Sequence, residues 1–219
     1  MSTLLDKLPT ILVLAVLVGI FVSLQKHSPS DRMRLWIAAW ALIFVHFFVQ
    51  VFEVDGRTGL AESIYDSIDL ASLELSGLVF LISMTLAIEH RLRRRILLGM
   101  LGLPVAFHAV AASFDWHIRW VLVTCVALVF LSGAALPYIF DRHISLYRIS
   151  ITALILTAGV WSVRAQTSGD SGPAITSILA LSFALPGVLF WRRSKRRSPG
   201  VLTDVVGFLA WGADFPLGM

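Results

Sequence analysis

The sequence predicts an all-α fold: a polytopic transmembrane helical bundle of about eight spans, with its amino terminus outside. Three observations predict it: an apolar composition, the recurrence of apolar runs near twenty residues long, and an uneven distribution of Lys and Arg between them. Hydrophobic residues make up 57% of the 219 and charged residues only 15%, with a mean hydropathy of +0.82. A water-soluble domain carries about 45–50% apolar and ~25% charged residues. This chain lacks the polar surface to face water, so lipid is its expected solvent and the bilayer its first partner.

A bilayer core about 30 Å thick needs ~20 helical residues to cross it. Runs of that order occur at 8–25, 35–52, 68–88, 96–113, 119–140, 149–163, 174–191 and 200–213, the sixth short and the eighth interrupted by Asp204. Helices are expected because unpaired backbone groups are costly in lipid, and a closed barrel needs ~10-residue alternating strands instead. The connections are brief, so residues 1–219 read as a single integral-membrane helical domain with no soluble domain. The first run follows a flank that mixes Asp6 with Lys7 and is followed by no small-x-small cleavage site, which makes it a retained span and not a signal peptide. The single cysteine, Cys125, lies inside "WVLVTCVALVFL". It excludes an internal disulfide or a cysteine metal cluster and reads as a small buried hydrophobe.

Orientation follows from the basic residues. Fourteen of the eighteen fall on one side: Lys26, Arg32 and Arg34, then Arg91, Arg93, Arg94 and Arg95, then Arg142 and Arg148, then Arg192, Arg193, Lys195, Arg196 and Arg197. Lys7, Arg57, Arg119 and Arg164 fall on the other. The arginine-rich side is cytoplasmic by the positive-inside rule. Glu53, Asp55, Glu62, Asp115 and Asp170 then give the outer face an acidic character. The net charge of +4 is confined to short clusters between apolar runs. Such clusters set orientation and touch anionic lipid, so nucleic acid is not an expected partner.

Ionisable groups inside a span are expensive and point to function. His46, Glu74 and His108 lie in three different runs, and Gln50 is one turn from His46 on the same face. Each is expected within roughly 10 Å of the outer boundary at ~1.5 Å per residue. This common depth permits a candidate ligand-binding pocket for a cation, a small polar solute or a proton. The structural alternative has each histidine donating to a neighbouring carbonyl and Glu74 protonated or paired with Ser72 or Ser76, as ordinary interhelical glue. No HxxxH or HxxE spacing fixes two metal ligands on one face, so no metal is expected.

The third run opens with "ESIYDSIDLASLEL", in which Glu62, Asp66 and Asp69 recur at i, i+4 and i+7 and share one helical stripe. Like charges at this spacing repel. The external acidic stripe therefore faces water, a cation or a basic partner. Trp36, Trp40, Trp116, Trp120, Trp161 and Trp191 are expected in the interfacial belts. Lysines occur only at positions 7, 26 and 195, which leaves none mid-membrane for a Schiff base. The chain contains no GxSxG, P-loop, HExxH or CxxC motif. No catalytic residue and no cofactor is expected.

Two stretches carry a resemblance. "DRMRLWIAAWALIFVHFFVQVFE" resembles the second span of multi-pass amino-terminal sensory modules of bacterial signalling proteins. "RRSKRRSPGVLTDVVGFLAWGADFPLGM" is similar to their late span, with Trp211, Gly212, Phe215 and Pro216 at the motif positions and only Ala213 and Asp214 between the pairs. These modules precede cytoplasmic GGDEF diguanylate cyclase or histidine kinase domains. The resemblance implies a sensory input module in the bacterial cytoplasmic membrane, with one further crossing and an output domain beyond Met219, and a homodimer formed through that cytoplasmic region. Any enzymatic activity would belong to that domain. A stand-alone transporter or channel and a structural membrane subunit are the competing readings. The transporter reading requires a continuous polar path lined by His46, Glu74 and His108.

Overall fold

The computed structural model describes residues 2–27, 29–51, 59–84, 91–114, 116, 118–139, 145–193, 206–207 and 209–210. Among these residues the chain is all-α, with seven helices: α1 (Ser2–His27), α2 (Asp31–Val51), α3 (Leu60–Met84), α4 (Arg91–Ser113), α5 (Arg119–Ile139), α6 (Leu146–Ser168) and α7 (Gly172–Arg193). Of the eighth expected run, Val206, Gly207, Leu209 and Ala210 are helical. Trp211, Gly212, Phe215 and Pro216 lie outside the described residues.

The helix ends follow ordinary capping chemistry. Ser30 Oγ accepts from Met33 N at 3.1 Å ahead of α2, and Ser145 accepts from Arg148 N ahead of α6. Gly169 closes α6 with φ of 92°, and its N–H and that of Asp170 return to the carbonyls of Gln166 and Ala165. A side chain at this left-handed position would be strained, which is why glycine occupies it. Asp170 Oδ1 then accepts from Gly172 N at 2.9 Å, so three residues suffice to turn the chain into α7.

Among the described residues, five helices are long and apolar enough to cross a membrane: Leu8–His27, Asp31–Val51, Arg95–Ser113, Leu146–Ser168 and Gly172–Leu189. The apolar part of α5, Arg119–Ala135, is shorter, and α3 carries Asp66, Asp69 and Glu74 along its length. Exposure is inverted relative to a water-soluble bundle. Leu103, Trp120 and Val160 are 73%, 74% and 70% exposed, whereas Glu74, Ser76, Ser83 and Ser162 are fully buried. Apolar side chains cover the outside and polar ones are held within, as expected of a helical membrane bundle.

Helices α3, α4, α5, α6 and α7 pack in sequence, and α7 returns against α3, which closes a five-helix ring. α2 lies outside it on α3, and α1 lies on α2. Paired residues fix the directions. Trp36 meets Ser83 and His46 meets Asp69, so α2 and α3 are antiparallel. Gly77 meets Ser182 and Phe80 meets Phe183, so α3 and α7 are parallel. The starts of α3, α5 and α7 therefore share the arginine-poor end, and the starts of α4 and α6 share the arginine-rich one.

Two cores result. The larger fills the ring, with Leu78, Leu81 and Ile82 from α3, Leu97, Leu101 and Val105 from α4, and further residues from the other three helices. The smaller joins α1, α2, α3 and α7 through Leu14, Ala39, Ile43, Phe80 and Phe183. Phe80 is its hub: Trp40 and Trp36 meet it edge-on with centroids 5.5 and 6.0 Å away, and Phe183 lies at 6.3 Å. Trp36 and Trp40 thus also serve an interhelical seam, packing on Phe80. Trp116, Trp120 and Trp161 are exposed.

Candidate functional site

The four candidate pocket residues form two groups. His46 and Gln50, one turn apart near the end of α2, face the first half of α3. His46 Nδ1 is 2.8 Å from Asp69 Oδ1, an ion-pair distance without linear hydrogen-bond geometry, and 3.4 Å from the Asp69 carbonyl. The Gln50 amide nitrogen lies 3.2 Å from His46 Nε2 and 3.4 Å from Asp69 Oδ2. An amide NH₂ has two protons to give. If Gln50 donates one to each, His46 Nε2 is an acceptor and Nδ1 carries the proton that faces Asp69. One tautomer of the imidazole thus serves both the Gln50 and the Asp69 carbonyl contacts, while Asp69 Oδ1 is left without a hydrogen bond among the described residues.

Asp69 changes the reading of the acidic stripe. Glu62 and Asp66 are exposed, but Asp69 is half-buried and turned onto His46. The helix enters the bundle between the second and third carboxylates, and the third is held by α2 in place of solvent.

The second group lies inside the helix ring. Glu74 is fully buried, and neither carboxylate oxygen has a hydrogen-bond partner among the described residues. α3 begins at Leu60, eight residues before the apolar run. Glu74 is therefore 14 residues into the helix, about 21 Å from its start, and roughly the first two turns of that length precede the apolar run. The hydroxyls expected to pair with it are committed elsewhere: Ser72 donates to the Asp69 carbonyl at 2.9 Å and Ser76 to the Leu73 carbonyl at 2.7 Å. Both satisfy their own helix.

His108 on α4 is 1% exposed. Its Nε2 lies 3.4 Å from Gln166 Oε1 across the ring on α6, and its Nδ1 has no partner among the described residues. Amide Oε1 can only accept, so Nε2 carries the proton and Nδ1 presents a lone pair. Gln166 escapes the sequence reading because the apolar run stops at 163, whereas α6 continues to Ser168. The signal for it is Ser162 and Gln166 at i and i+4, a polar pair on one face of α6; both are buried, and Ser162 Oγ donates to the Pro173 carbonyl.

His108, Val105, Leu101 and Leu97 form one stripe of α4, and Glu74, Leu78 and Leu81 one stripe of α3. The apolar members of both belong to the core inside the ring. Toward the arginine-rich end that core borders a half-open cavity of about 40 Å³ lined by Leu78, Leu81, Leu101, Phe130, Ile178 and Leu185 among others. It has room for a water or two and offers almost nothing to bind them. No hydrogen bond among the described residues links the His46 triad with Glu74 or His108.

Comparison with protein-family models, with curated proteins and with solved structures finds no match for this chain.

Proposed function

We propose that the chain is the membrane-embedded input module of a bacterial signalling protein, carrying a stimulus from the outer face or the bilayer to a cytoplasmic output domain. What supports the reading is the burial of three polar side chains, Glu74, His108 and Gln166, within a closed ring whose core is otherwise apolar. A transporter needs polar groups along the whole route, whereas here Leu78, Leu81, Leu97 and Leu101 follow directly. A buried polar layer that is incompletely satisfied, inside tightly packed helices, suits two alternative packings biased by a stimulus. The amino terminus lies outside and the arginine-rich end faces the cytoplasm of the bacterial inner membrane. The output domain dimerises and carries whatever catalysis the whole system performs.

Two measurements test this. In proteoliposomes the module conducts no protons or small cations, and sustained flux refutes it. The coding sequence after Met219 continues in frame with another crossing and a cytoplasmic domain; a stop codon there with no adjacent partner gene refutes it as well.

A further inference from the structure

The interior of the helix ring has an excess of acceptors. Glu74 Oε1, Glu74 Oε2 and His108 Nδ1 are all buried and have no partner among the described residues. The one proton of the neutral imidazole is committed to Gln166. The hydroxyls of Ser72 and Ser76 donate to their own helix. Three acceptors facing no donor in an apolar surround cost several kcal/mol, more if the carboxylate is charged.

Helix direction brings the groups toward each other. Cα–Cβ bonds tilt toward the helix amino terminus. α3 starts at the arginine-poor end, so Glu74 leans toward that end; α4 starts at the opposite end, so His108 leans away from it. Leu75 lies beside Gly102, a register that places His108 roughly one and a half turns nearer the arginine-poor end than Glu74. The two side chains therefore lean into the same layer from adjacent helices.

We propose that this layer is a binding site for one exchangeable proton, carried on the Glu74 carboxyl and shared toward His108 Nδ1. Uptake is a simple addition: the carboxylate takes a proton from the arginine-poor side to become an acid, whose O–H then supplies the donor the layer lacks. No metal is required. Resting on the input-module reading for its consequence only, the proposal makes the proton the stimulus and the packing of α3 on α4 and α7 the response.

The groups that face α3 are few. From α4 there is His108; from α2 there is His46, already held by Asp69 and Gln50. α7 has no Asp, Glu, Lys, Arg, His, Cys or Tyr between Gly172 and Trp191. Across the ring, α5 offers Cys125, half-buried, and α6 offers Gln166, with Arg164 exposed. No cation among these is placed to hold Glu74 as a permanent carboxylate.

The test is labelling of the full chain in proteoliposomes with an apolar carbodiimide, which adds to a protonated carboxyl and rearranges to a stable N-acylurea. Peptide mass mapping locates the adduct on the wild-type chain, so the result does not depend on how Glu74→Gln folds. The expected result is an adduct on Glu74 that falls at least about tenfold from pH ~5.5 to ~8.5 after correction for the reagent's own pH dependence. Sodium leaves it unchanged and Glu74→Gln abolishes it. No adduct on folded protein, an adduct independent of pH, or protection by sodium overturns the proposal, the last in favour of a metal cation. Cysteine crosslinking between α3 and α7 is measured in the same samples. Pronounced labelling without any pH-dependent crosslinking leaves the proton site standing and counts against the input-module reading. Crosslinking that responds to another stimulus, without labelling, does the reverse.

Discussion

His46 Nδ1 stands 2.8 Å from Asp69 Oδ1, and this contact ties a helix outside the five-helix ring to one within it. Gln50 reinforces it from one turn away. Polar pairs between membrane helices contribute about 0.6 kcal/mol on average and up to ~1.7 kcal/mol, because the separated helices also find partners. A double-mutant cycle over His46→Ala and Asp69→Ala, read by reversible unfolding in mixed micelles, gives a coupling energy in that range. Zero coupling shows that this pair does not hold α2, which the Phe80 seam and the Trp36–Ser83 bond then hold. Gln50→Ala lowers the coupling.

Gly77 makes the closest approach of the described glycines. A Cβ built there lies 2.5 Å from Ser182 Cβ and 3.3 Å from a Phe183 ring carbon. Small residues let membrane helices approach closely, and here the approach closes the ring between α3 and α7. Gly77→Ala forces the two apart and costs about 1–3 kcal/mol in the same unfolding assay. Ser182→Gly removes the opposing Cβ and restores most of the loss. If it restores nothing, the close approach is not what holds α7.

The two tryptophans of α2 differ in their polar atoms. Trp36 Nε1 donates to Ser83 Oγ at 3.0 Å, while Trp40 Nε1 is buried with no partner among the described residues. Both rings pack on Phe80. Trp36→Phe loses ring area and a hydrogen bond, whereas Trp40→Phe loses ring area but also an unsatisfied donor. Trp36→Phe is therefore more destabilising by about 1 kcal/mol. Equal costs in the unfolding assay show that the Ser83 bond contributes nothing.

These contrasts mark what the sequence could and could not disclose. The apolar runs locate seven described helices because a helix in lipid must be long and apolar whatever its neighbours are. The runs miss helix ends where polar residues continue the helix: α3 starts at Leu60, and α6 carries Gln166 past the end of its apolar stretch. They give no partner for α7, since its parallel contact with α3 joins helices distant in the chain. His46, Glu74 and His108 stood out because charge in a span is costly. Their division into an α2–α3 triad and a layer inside the ring depended on helix rotation, which a run of apolar residues does not encode. The readings on Trp211, Gly212, Phe215 and Pro216 lie outside the described residues.

Gln166 tests the layer from its far side. Gln166→Leu removes the acceptor of His108 Nε2 and leaves a fully buried imidazole with neither nitrogen paired. An unsatisfied buried donor costs about 1–3 kcal/mol. Gln166→Glu keeps an acceptor for Nε2 but puts a second carboxyl into a buried region already rich in acceptors, so it loses less only if that carboxyl is protonated. A cross-ring disulfide between α4 and α6 forms more slowly in Gln166→Leu if the contact positions these helices. Equal rates in both variants show that it does not.

Glu74 supplies the sharpest contrast between stability and function. A buried group with no partner is a liability that apolar replacement removes, and well-packed hydrophobic residues in place of buried charged ones often stabilise by about 1–4 kcal/mol. Glu74→Met, close in volume, thus raises the melting temperature of the bundle, whereas most core substitutions lower it. If the layer binds a proton, the same variant loses every pH-dependent change in α3–α7 crosslinking between pH ~5.5 and ~8.5. A group kept at a cost to stability and lost together with a response is kept for that response. Destabilisation by Glu74→Met would instead mean that the carboxyl holds the ring together, and its burial would then be structural.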